Sequence, residues 1–228
     1  MLCQQSSRVL MIVVLALCVP LWAAAATWDD LDQQAATLID QQRYAEAVTA
    51  AEESLRTAER LFGNRHPAVA VSLETLALAQ EGTGNLTMAK VLLLRALELR
   101  ESVLGADHPS ISFTLNRLAE IYQRLGHYTE VERLLRRALA IDQRAFGEES
   151  PEVVNDLCNL AVINHRLGVP AEAESLYRQA LVRAEATFGP GHPELRAILE
   201  DYAVLLRERN RIREARGVEA RLKTIPLN

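Results

Sequence analysis

The sequence predicts an all-α protein, a right-handed solenoid of antiparallel helix pairs, and three observations lead there. Gly63, Gly105, Gly147 and Gly189 recur every 42 residues, as do Pro67, Pro109, Pro151 and Pro193. Between these landmarks apolar residues fall at i, i+3, i+4 and i+7, the stripe of an amphipathic helix. The composition agrees: hydrophobic residues make up 49 %, mainly Ala and Leu, and aromatics only 5 %, whereas strand-like alternation is hard to find. Regular repetition at this period is the mark of stacked supersecondary units.

The N-terminus stands outside the repeat. Arg8 precedes the apolar run "VLMIVVLALCV", Pro20 breaks it, and "LWAAAATW" supplies small residues at the spacing of a cleavage site, so residues 1–26 are expected to be a secretory signal. The run is shorter than the roughly 20 residues that span a bilayer, so no membrane insertion is expected once the signal is cut; retention as an anchor is the alternative. Without Arg8, the 25 basic residues become 24 against 30 acidic ones, a formal charge of −6, which disfavours nucleic acid as a partner. Cys158 is then the single cysteine and has no internal disulfide partner.

The solenoid is expected over residues 27–228, with helix pairs near 28–62, 66–104, 108–146, 150–188 and 192–224. In the third pair the first helix carries Leu115, Leu118, Ala119 and Tyr122, and the second Val131, Leu134, Leu135, Ala138 and Leu139. The second pair places Leu73, Leu76, Ala77 and then Ala89, Leu92, Leu93, Ala96 and Leu97 in the same register. The first pair keeps it with Leu31, Ala35, Tyr44 and Ala47. The series Gly84, Gly126, Gly168 and Asn210 marks the turn inside each pair, where φ > 0 suits Gly and is tolerated by Asn. The first and last pairs depart most from the pattern, as the ends of a solenoid do.

Three of the five histidines precede the repeated prolines, at His66, His108 and His192, and Ser150 takes the same place in the fourth pair. Equivalent positions in successive pairs lie two helix layers apart, on the order of 16–20 Å, too far to share a metal ion. Serine is a favoured N-cap and proline a favoured first helical residue, so His, His, Ser and His share one capping task. No catalytic triad, phosphate loop or metalloprotease helix is present, and neither an enzymatic activity nor a cofactor is expected.

The succession Leu, Leu-Ala, Tyr, Gly, Tyr, Ala, Ala-Leu, clearest in "HPSISFTLNRLAEIYQRLGHYTEVERLLRRAL", resembles the tetratricopeptide repeat. The 42-residue unit with Gly-x-x-His-Pro is similar to the repeats of kinesin light chains, over roughly residues 28 to 224. The resemblance implies that the first helices of the pairs line a concave groove that binds another protein or a peptide segment. The groove would carry Phe113, Asn116, Arg117, Glu120 and Arg124 on one helix and Asn155, Cys158, Asn159, Val162 and Arg166 on the next. Glu74, Glu81 and Glu200 would share that face.

Asn116 and Asn159 have amides suited to a peptide backbone and are otherwise solvated. Phe113 is either a hydrophobic anchor or a filler between helices. Arg117, Arg124 and Arg166 offer charge to a carboxylate. The expected function is a non-catalytic adaptor of the bacterial cell envelope, in the periplasm, with secretion or anchoring by an uncleaved signal as the alternatives; the source is inferred from the signal and the arginine-rich, lysine-poor composition. The alternatives are a structural protein that self-assembles through terminal helices, at residues such as Leu31 or Leu205, and a thiol-redox component centred on Cys158 and His165.

Overall fold

The structure, a computed structural model, describes residues 21–226, with side chains from Trp28 onward. The body of the expected signal, residues 1–20, lies outside the described residues. The described residues form ten helices: α1 (Leu21–Asp40), α2 (Tyr44–Phe62), α3 (Pro67–Gly82), α4 (Leu86–Leu104), α5 (Pro109–Arg124), α6 (Tyr128–Phe146), α7 (Pro151–Arg166), α8 (Pro170–Phe188), α9 (Leu195–Glu208) and α10 (Ile212–Leu222). No strand occurs among the described residues, and none of the helices described is long and apolar enough to cross a membrane. The chain divides into two compact units, Met1–Leu92 and Leu93–Asn228, with the division inside α4.

The turn within each pair is built the same way five times. The N–H groups of Arg43, Asn85, His127, Val169 and Arg211 each donate to the carbonyl five residues earlier at 2.9 Å, the wide bond of a Schellman motif that satisfies a helix's last carbonyls. The motif needs a left-handed residue just before each donor. Gly84, Gly126 and Gly168 supply it, and so do Gln42 and Asn210, both at φ 59°. Gln42 is the counterpart in the first pair, at a residue type that signals nothing by itself.

In the N-terminal unit α1, α2 and α3 pack in sequence, and α1 also meets α3. Ala35, Ala47, Ala51 and Ala58 are fully buried, and their methyl groups let the helices approach closely. Inside the alanine-rich contact sits a polar cluster. Trp28 Nε1 donates to Ser72 Oγ at 2.7 Å, and the Ser72 and Ser54 hydroxyls are 2.8 Å apart. Ser54 and Thr75 donate to the two carboxylate oxygens of Asp32 at 3.0 and 3.1 Å. Both oxygens of this carboxylate are thus served, as burial demands.

In the C-terminal unit α5 to α10 pack in sequence, and α7 also meets α9. The expected stripes are inside: Leu115, Leu118, Ala119, Val131, Leu134, Leu135 and Ala138 are buried, while Tyr122 and Leu139 are half-buried. Leu157, Leu160, Ile163 and Tyr177 continue the core, each such side chain contributing about 1.5–3 kcal/mol by burial. Arg196 Nη1 donates to the carbonyls of Leu222 and Ile225 at 3.2 and 2.9 Å, holding the segment after α10 so that Ile225 is buried.

The helix expected to follow Pro193 directly begins at Leu195 instead. The N–H groups of Leu195 and Arg196 reach back only three residues, to the carbonyls of His192 and Pro193, and this tighter turn leads into α9.

Candidate partner-binding face

The repeated prolines start α3, α5 and α7 with caps of two kinds. His66 and His108 accept the N–H two residues on through Nδ1, at 3.2 Å in each case, whereas Ser150 Oγ accepts the N–H of Val153 at 3.3 Å. His192 Nδ1 accepts the N–H of Glu194 at 3.3 Å, just ahead of α9. Each of these histidines is occupied at its own helix start. Two of them also cover a phenylalanine: His66 stacks on Phe62 at 4.6 Å between centroids, and His192 on Phe188 at 5.1 Å. Phe146 is the equivalent residue ahead of Ser150. With no imidazole above it, Phe146 is 50 % exposed.

On α5, Phe113, Glu120 and Arg124 are exposed, and Asn116 and Arg117 are half-buried. On α7, Asn155, Asn159 and Arg166 are exposed, with Cys158 and Val162 half-buried. These residues occupy the outward sides of the two helices, opposite the buried Ile111, Leu115, Leu118, Leu157 and Leu160. Several are already engaged. Arg117 pairs with Glu120 at 2.6 Å. Arg166 lies over the ring of Tyr128, 5.8 Å from its centroid, and donates to the Tyr128 hydroxyl at 3.3 Å. His165 Nε2 is 2.5 Å from a carboxylate oxygen of Glu208. Phe113 is 55 % exposed, so its ring is not packed into the core.

The position shared by Glu74, Asn116, Cys158 and Glu200 is more covered than the sequence suggests. Glu74 is buried and only Glu200 is exposed. Within the C-terminal unit the reason is visible, because this position looks toward the first helix of the next pair: Asn116 Nδ2 donates to Asp156 Oδ1 at 3.0 Å. The amide of Asn116 is therefore neither simply solvated nor wholly available to a peptide. Leu205 is likewise fully buried, so the large apolar residue exposed on α9 is its neighbour Val204.

Sequence reasoning missed two residues, Asp142 on α6 and Asp156 on α7, which are 2 % and 1 % exposed. The signal was in the repeat. Asp142 stands where the other pairs have Ala58, Arg100 and Ala184, and Asp156 where they have Asp30, Ser72, Thr114 and Ile198. The two carboxyl groups lie beside each other, with the Ser112 hydroxyl against Asp142. Burial, relieved in part by the Asn116 hydrogen bond and reinforced by Asp142, pushes Asp156 up to about 7; burial also raises Asp142. They floor a cavity of about 350 Å³, with Phe113, Phe146 and Glu152 among its other lining residues.

Cys158 is suppressed as a nucleophile. Burial, with the Asp201 carboxylate adding to it, pushes the thiol up to about 12, so little thiolate exists at neutral pH. Among the described residues no group of three or more His, Cys, Asp or Glu side chains is placed to hold a metal.

The profile of the tetratricopeptide repeat matches residues 24–102, 81–144, 113–186 and 155–221. The chain belongs to the tetratricopeptide repeat family. No curated protein sequence matches it significantly. Solved structures do. The kinesin-light-chain, nearly identical TPR-like repeats of Podosopora anserina share 23 % identity over 86 % of this chain and 92 % of theirs, with a TM-score of 0.77. BtubC (BKLC) from P. vanneervenii shares 18 % over 89 % and 88 %, at 0.76, and Pseudomonas aeruginosa pilF 16 % over 90 % and 80 %, at 0.64. At these identities the likeness is one of fold. The structures that share this fold include kinesin-light-chain repeats, the proteins whose repeats the 42-residue unit with its His-Pro pairs resembles.

Proposed function

We propose that this tetratricopeptide repeat protein is a non-catalytic scaffold of the bacterial cell envelope, which binds a segment of another protein along the first helices α5 and α7. The repeat fold supports the general part, protein–protein interaction. The observation that carries the specific part is the variation at equivalent outward positions. Phe113, Asn155 and Ala197 share one repeat position, and Glu120, Val162 and Val204 another, while the buried positions between them keep one pattern. Packing explains the residues that repeat and leaves those that differ to recognition. A groove of this kind needs no cofactor. Export is supported by the N-terminal apolar run and its small-residue end, and with them a periplasmic location.

The test uses the purified chain as bait against envelope extract, beside two variants. Arg124→Glu with Asn159→Glu alters exposed residues of the α5–α7 face, and Val182→Glu alters α8 at a residue 68 % exposed. A partner kept by wild type and Val182→Glu but lost by the face variant supports the reading. A partner kept equally by all three, or none but the chain itself, contradicts it.

A further inference from the structure

The cavity between α5, α6 and α7 lies where the N-terminal unit carries two ring side chains. Two repeats before Phe146 stands Phe62, which meets the Trp28 indole edge to face with centroids 5.9 Å apart and stacks on the His66 imidazole at 4.6 Å. At the positions of Trp28 and His66 the repeat around Phe146 has Ser112 and Ser150. Both replacements are small, and Phe146 is 50 % exposed, whereas Phe62 and Phe188, each under an imidazole, are half-buried. The cavity of about 350 Å³ opens beside the bare ring, with Ser112, Phe113 and Glu152 also on its walls.

The backbone shows the same exchange. His66 and His192 accept the N–H two residues on, from Ala68 and Glu194, through Nδ1. The counterpart of those residues is Glu152. Ser150 Oγ instead accepts the N–H of Val153, and the N–H of Glu152 has no acceptor among the described residues. The chain path is alike, since His66 and Ser150 are both extended, at φ −108° and −81°. A bare phenylalanine face and a free N–H, which this chain's own imidazole serves together at Phe62 and at Phe188, therefore occur side by side at Phe146. Leucine and phenylalanine have no acceptor for that N–H, and an indole has only a donor. A neutral imidazole has one accepting and one donating nitrogen, and the Glu152 carboxylate on the cavity wall is an acceptor for the second.

We propose that this pocket receives a histidine side chain presented by the partner segment. Its imidazole stacks on Phe146, accepts the N–H of Glu152 and has Phe113, 55 % exposed, as a further wall. The contact repeats between two proteins what the chain makes within itself at Phe62 with His66 and at Phe188 with His192. Asp142 and Asp156, 2 % and 1 % exposed, take no direct part. The inference rests on the α5–α7 face being the binding face, and it adds the chemistry of the residue that anchors there.

The test follows amide NMR signals of the full chain at pH 8, where an imidazole is neutral, during titration with N-acetyl-histidine methylamide and, as controls, the tryptophan and leucine counterparts. Saturable shifts at Phe113, Phe146 and Glu152 are expected, with the histidine probe the tightest of the three. Ser150→His restores the ring that His66 and His192 supply in their own repeats, and should abolish those shifts while melting at or above the wild type. Phe146→Leu, at an exposed position that leaves the core intact, should weaken the histidine probe roughly threefold or more. No saturable shift with histidine, equal or tighter binding of either control, or an unchanged histidine affinity in a folded Ser150→His chain overturns the proposal. Should Ser150→His not fold, an unchanged affinity in Phe146→Leu overturns it equally. Because no partner protein is used, these outcomes are independent of the capture experiment: a face that captures a partner without binding the imidazole refutes the anchor and leaves the face.

Discussion

Asn116 and Asp156, 40 positions apart in sequence, are joined by a hydrogen bond of 3.0 Å that runs from the first helix of one pair to the first helix of the next. The bond serves one oxygen of a carboxyl group that is 1 % exposed, and the same group shares a hydrogen bond with the Asp142 carboxyl. The titration of this residue therefore reports on how consecutive pairs pack.

Asp156 is held near 7 in the folded chain against an ordinary 3.8. Between these values the folded state binds a proton that the unfolded state has lost, so stability falls as pH rises from about 4 to about 7. The slope approaches about 1.4 kcal/mol per pH unit for one group. Asp142 is shifted in the same direction, and the two titrate as a pair. Thermal melting between pH 5 and pH 8 should show the wild type losing stability, and Asp156→Asn should flatten the dependence.

Glu174 has the opposite sign. It is 9 % exposed and meets Arg209 at 2.6 Å, Arg178 at 2.7 Å and Arg211; the hydrogen bond from Arg211 and the other cations lower its pKa. Its contribution is present above the ordinary carboxylate range and lost as pH falls through the lowered folded value. Glu174→Gln should cost about 1–3 kcal/mol at pH 7, read from urea midpoints, and the loss should shrink in acid as the wild-type group protonates.

The caps make a graded prediction. Ser150→Ala removes the acceptor that holds the N–H of Val153 and should lower stability by about 1 kcal/mol. His108→Ser exchanges one capping residue for another and should be nearly neutral. If both substitutions melt alike, the His-Pro pairs have a role other than capping.

Gly82 lies against Tyr44 so closely that a Cβ built on it falls 2.0 Å from the ring. Gly82→Ala should cost about 1–3 kcal/mol through this overlap. In a Tyr44→Ala background the same change should cost far less, because the ring it strikes is gone. At the corresponding pair in the C-terminal unit, the Arg166 guanidinium lies over the Tyr128 ring, 5.8 Å from its centroid.

The fold was legible because its signals are written several times over. The stripe of Leu115, Leu118 and Ala119 recurs at fixed spacing, and a turn glycine such as Gly126 stands where the backbone adopts φ 80°. Gln42 escaped notice since the Schellman geometry imposed by its neighbours overrides its residue type. The candidate face was legible only as a set of helix sides. That Asn116 is half committed to Asp156, and that Glu74 is buried, depends on how closely consecutive first helices approach, which periodicity does not encode. The acid pair was present in the sequence as a departure from the repeat, Asp142 against Ala58 and Ala184, but its meaning required seeing that α6 and α7 bring it beside Asp156.

The central claim, that the outward side of α5 and α7 receives the partner, is tested most directly by photo-cross-linking in living cells. A photoreactive amino acid is placed singly at Asn159, on that face, and at Val182, on the exposed side of α8. One discrete cross-linked protein from position 159, absent from position 182, is the predicted result. The same adduct from both positions, or from position 182 alone, would place the partner elsewhere on the molecule and contradict the account.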